Sequence, residues 1–221
     1  MRLNNTTFSL ITDDCIGGVI SHDLHLPFRS PTIDLCFSEI DFLVFCEHLE
    51  YYLSLPVIDG HAQKPYPVGM LDGEYGPVYI HFMHYNSFEE ASRKWEERSR
   101  RVDLNNLYII MDAAKCEESI LERFDNLPFP NKKVLTYGVH PNIKNSFPID
   151  THLYDNNFFQ GKILTYPRFG LRRYLDAFDY VGFFNQGTPS NSSTGKRINR
   201  PSLVNVILSS IRDFIRNNPS S

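Results

Sequence analysis

The chain has 221 residues, 42% of them hydrophobic and 22% charged, with a formal charge of −4. This is ordinary globular composition, long enough to bury a core without disulfides or metals. It carries no apolar run near the ~20 residues that span a bilayer, no signal-peptide pattern in residues 1–6 and no C-x-x-C among Cys15, Cys36, Cys46 and Cys116, so the expectation is a cytoplasmic protein with reduced thiols.

In chain order, residues 8–12 read as a short buried strand. A tight turn over Asp13, Asp14, Cys15, Ile16, Gly17 and Gly18 follows, then a helix within 19–26. Residues 39–53 place Phe42, Phe45, Cys46, Leu49 and Tyr52 on one helical stripe that Pro56 stops. The run 77–83 is apolar on both alternating faces, as in a central parallel strand. Ser87 and Glu90 then form a capping box ahead of a helix with Phe88, Ala91 and Trp95 inside and i,i+4 pairs of Arg93, Glu96, Glu97, Arg100 and Arg101 outside.

Residues 107–111 are a second buried strand, 117–125 a short helix and 133–137 a third strand. The alternation predicts an α/β fold, a mostly parallel sheet with helices on both faces. Ligands then sit beyond the carboxyl ends of the strands, at the loops 13–18, 84–87, 112–116 and 138–142. The α/β domain spans 1–186, a flexible linker 187–200, and a C-terminal amphipathic helix 201–217 packs back on the domain.

Charge is unevenly spread. Residues 160–221 hold nine Lys or Arg against three Asp. Arg168, Arg172 and Arg173 are candidates for phosphate recognition, on a nucleotide-sugar donor, a coenzyme A thioester or a membrane surface touched peripherally. The alternative is a solvated basic face that balances an acidic first half. Nucleic acid is not an expected partner, because the overall balance is acidic and no basic motif occurs.

Cys15 stands on a strand–turn–helix junction, where a nucleophile would meet backbone amides, and Gly17 and Gly18 would let a substrate oxygen approach them. Asp13 and Asp14 oppose this by favouring the protonated thiol. His84, near a strand end, is a candidate general base, whereas His81 reads as a core histidine. Asp14 and Asp112 lie just past predicted strands, where a carboxylate can hold sugar hydroxyls or serve as a base, and Ser87 joins them as a substrate-binding candidate. No metal-ligand spacing, D-x-D, P-loop or G-x-G-x-x-G is present.

The stretches FSLITDDCIGG (8–18), IHFMHYNSFEEASRKWEERSRRV (80–102), NLYIIMD (106–112) and FFQGKILTYPRFGLRRYLDAFDYVGFFN (158–185) resemble the bacterial domain-of-unknown-function family nineteen-nineteen. Its members are often called exopolysaccharide or capsular polysaccharide biosynthesis proteins. The resemblance implies an α/β fold and a surface-glycan pathway, with a sugar or polysaccharide precursor as partner. It supplies no mechanism, and MDAAKCEE (111–118) departs from the more polar, glycine-containing loop expected there. The leading expectation is an acyl- or glycosyltransferase with Cys15, His84 and Asp112 as catalytic residues. The alternative is a non-catalytic glycan-binding or assembly protein that uses the aromatics of 166–169 and 174–184 as stacking surfaces.

Overall fold

The computed structural model describes residues 2–113, 116–149, 162–166 and 172–186, and the backbone of Lys196–Arg197. The first half runs β1 (Arg2–Leu3), β2 (Ser9–Thr12), α1 (Ile16–Asp23), α2 (Glu39–Glu47), α3 (Leu49–Ser54), β3 (Ile58–Asp59), β4 (Val68–Gly73) and β5 (Gly76–His81). There follow α4 (Phe88–Ser99), β6 (Leu107–Ala113), α5 (Glu118–Asp125), β7 (Lys132–Thr136), β8 (Ser146–Pro148), α6 (Tyr180–Asn185) and β9 (Lys196–Arg197).

A four-stranded sheet in the order β2-β6-β7-β8 is parallel throughout. All seven residues of β6 are buried, as a strand covered on both faces requires. Side chains alternate between two cores. Ile11, Ile109, Met111 and Val134 face Phe45 of α2, Trp95 of α4 and Phe124 of α5. Leu10, Tyr108, Ile110 and Leu135 face Ile16 and Ile20 of α1 and Phe183 and Phe184 of α6. Helices therefore cover both faces. Among the described residues, the strand order advances in one direction, without the reversal that makes a switch-point crevice in doubly wound folds.

The run 77–83 departs from expectation. β5 lies in a separate antiparallel sheet, β3-β4-β5, joined to β4 by a turn with Gly73 opposite Gly76. Gly76 takes φ +110°, a conformation that favours glycine. Val78, Ile80 and Phe82 are buried while Pro77, Tyr79 and Met83 are exposed, so the run has a period of two. Its outer residues happen to be apolar, which disguised the alternation.

The stripe expected over 39–53 is buried as read, but the helix breaks at His48, where φ −128° and ψ 40° interrupt it. On α4, Ser87 accepts the Glu90 N–H at 3.2 Å, and Arg93–Glu97 (3.4 Å), Arg100–Glu96 (3.7 Å) and Arg101–Glu97 pair along the outer face. The backbone of Lys196–Arg197, inside the expected linker, pairs antiparallel with β1. The rest of 187–200 and the helix expected over 201–217 lie outside the described residues. Among the described residues, no helix is long and apolar enough to cross a membrane.

Candidate functional site

The carboxyl ends of β2, β6 and β7 bring Asp13, Asp14, Asp112 and Tyr137 together. Asp13 ties the strands: its Oδ1 accepts the Asp112 N–H at 2.9 Å, and its carbonyl accepts the Phe37 N–H at 2.8 Å. Asp112 is buried and acts electrostatically on both Asp14 and Tyr137. Tyr137 lies beside Asp112 and close to the Ile163 backbone, so the segment Lys162–Leu164 also reaches this edge. Burial, with Asp112 and Asp14 next, raises the Tyr137 phenol above its usual range.

Asp14 is 3% exposed. Its Oδ1 accepts the Ile16 N–H at 2.8 Å, while its Oδ2 is buried without a hydrogen-bond partner. Burial pushes its carboxyl well above the usual 3.8, the nearby Asp112 charge pushes the same way, and the Ile16 amide opposes them. A buried carboxyl beside a like charge holds its proton more readily than it would in water. A carboxyl tuned upward in this way is a stronger base than an ordinary aspartate.

Cys15 occupies the N-cap of α1, its side chain makes no cap bond, and it lies half-buried with Sγ 4.0 Å from the Leu35 carbonyl. Burial first, then the carboxylates of Asp14, Asp34 and Asp13, push its thiol up to about 12. These effects outweigh the helix N-terminus, and the group is a thiol at neutral pH. Cys36 and Cys116 are pushed to about 12 as well.

Gly17 and Gly18 are both buried within α1. The Gly17 N–H donates to Thr12 Oγ1 at 3.2 Å, and a Cβ there would meet that oxygen at 2.7 Å. Glycine at 17 admits the Thr12 side chain, and its amide is already engaged.

His84 is exposed in the turn after β5. That turn enters the neighbourhood indirectly: Cys36 pairs with His81 backbone to backbone and its Sγ lies 3.2 Å from Met83 Sδ. His81 is half-buried, its Nδ1 is buried without a partner, and burial lowers its pKa. Ser87 is occupied in capping α4.

Arg173 is 8% exposed and pairs with Asp23 and, at 2.8 Å, with Asp176, at the end of α1 remote from Cys15. Arg172 is exposed, and Arg168 lies outside the described residues. Tyr174, Phe178, Tyr180, Phe183 and Phe184 fill the core against the parallel sheet, so they are not stacking surfaces. Tyr166 is half-buried, and 167–169 lie outside the described residues. Among the described residues, no group of three His, Cys, Asp or Glu side chains is arranged to hold a metal ion.

The site thus centres on Asp14 and Asp112. Tyr137 carried no sequence signal beyond its place at a strand end.

Residues 1–185 match the family described as Domain of unknown function (DUF1919). A protein of Haemophilus influenzae, called "Uncharacterized protein", is 38% identical over 185 residues, which cover 83% of this chain and 87% of that protein.

Proposed function

The chain belongs to this family of unknown function, and from that premise we propose that it is a transferase of surface-glycan assembly with Asp14 as general base. The observation that carries the reading is the buried Asp14–Asp112 pair at the ends of adjacent parallel strands, with Asp14 Oδ2 unpartnered. Asp14 takes the proton of an acceptor sugar hydroxyl as that oxygen bonds to the donor's anomeric or acyl carbon. The donor's diphosphate or thiolate leaves with the bonding electron pair. Burial, with the Asp112 charge beside it, keeps the Asp14 carboxyl basic enough for the task. Direct transfer is favoured over a covalent thioester, because Cys15 is protonated and the Gly17 amide is engaged.

The test is a melting-temperature screen with nucleotide sugars and acetyl-coenzyme A, followed by product analysis with sugar acceptors. One donor class raises the melting temperature. Asp14→Asn keeps that shift but forms product at least about a hundredfold more slowly. If no donor shifts the melting temperature, or Asp14→Asn turns over at the native rate, the reading fails.

A further inference from the structure

The amino-terminal edge of the parallel sheet carries a second feature, independent of the reaction above. The break at His48 opens a groove of about 680 Å³ whose lining includes Glu47, His48, Glu50, Tyr51, Tyr75 and Phe129. Its size suits a small organic ligand.

Tyr75 stands in the β4–β5 turn, 49% exposed, yet two side chains pack against its ring. The His48 imidazole stacks on one face of the ring at 3.5 Å and 2°. Tyr51 meets the ring edge-on at 5.3 Å and 84°, and its own hydroxyl accepts the Glu74 N–H at 2.9 Å. The Glu74 carboxylate lies beside the Tyr75 hydroxyl and raises the phenol's pKa. An aromatic ring so fixed loses little further freedom when a ligand lands on it.

Among the described residues, the acidic side chains of the lining are both glutamates, and none of the lining residues is Lys or Arg. Glu47 is committed to Arg123 at 2.8 Å. Glu50 is exposed and enters no ion pair among the described residues. An anion would meet like charge here, and a neutral ligand would leave the carboxylate unused. A cation finds both a π face and a counter-charge.

We propose that this groove binds an organic ammonium ion, seated on the open face of Tyr75 with Glu50 as its counter-charge. The test uses the full chain, titrated with choline and with its neutral isostere 3,3-dimethylbutan-1-ol, followed by amide chemical shifts. Choline shifts the amides of residues 48–51 and 74–76 saturably, and the isostere binds about fivefold more weakly or worse. Tyr75→Ala weakens choline binding by about the same factor. Glu50→Gln, at an exposed position, weakens it while the rest of the spectrum stays native. Equal affinity for the isostere, native affinity in both variants, or no saturable shift overturns the proposal.

Discussion

Asp14 makes the stability of this fold depend on pH with a definite sign. Its folded carboxyl titrates well above 3.8, so the folded state holds that proton more tightly than the unfolded chain does. The stabilising contribution is complete below about pH 4 and is lost as pH rises through the raised folded value. The native melting temperature therefore falls more steeply from about pH 4 towards neutrality than that of Asp14→Asn, which keeps an Oδ1 for the Ile16 amide. Parallel curves for the two proteins would show that Asp14 is ordinarily ionised. The positions of Asp14 and Asp112 were legible because both follow apolar strand runs. Their coupling was not, since it depends on β2 lying beside β6, a pairing between residues about a hundred apart in the chain. The full surroundings of Cys15 were hidden for the same reason: Asp34 and Leu35 come from a loop twenty residues away.

At the level of elements, α1 contains adjacent glycines with different duties. A Cβ at Gly17 would meet Thr12 Oγ1 at 2.7 Å, while at Gly18 the nearest atoms lie at 3.5 Å. Urea denaturation should find Gly17→Ala destabilised by roughly 1–3 kcal/mol through overpacking. Gly18→Ala should be neutral or stabilised by up to about 1 kcal/mol, because alanine favours the helix. Equal costs at both sites would contradict the role given to Thr12. β2, β6 and β7 and the helices between them were legible, since buried parallel strands are nearly continuous apolar runs. β5 was misassigned to that sheet because Pro77, Tyr79 and Met83 are apolar yet exposed. Gly73 and Gly76, flanking the turn in DGEYG (72–76), were the overlooked hairpin signal. The break at His48 left no trace in the stripe, because Phe45 and Leu49 are buried on either side of it.

Over the whole molecule, the two proposed sites lie at opposite edges of one parallel sheet. The carboxyl edge gathers Asp13, Asp14, Asp112 and Tyr137 under the loops that leave β2, β6 and β7. The amino edge carries the groove walled by Tyr75 and His48. The core between them, with Trp95 2% exposed at its centre, keeps the two sites apart. The claim on which the catalytic account rests is that burial and the Asp112 charge hold the Asp14 proton well above the ordinary aspartate range. Carboxyl ¹³C chemical shifts of these two side chains, followed across pH in the full-length protein, test it most directly. The account predicts that one proton leaves the pair well above the ordinary 3.8 of an aspartate, and that Asp112→Asn brings the Asp14 midpoint down. Two independent titrations, both with ordinary midpoints at about pH 4, would contradict it.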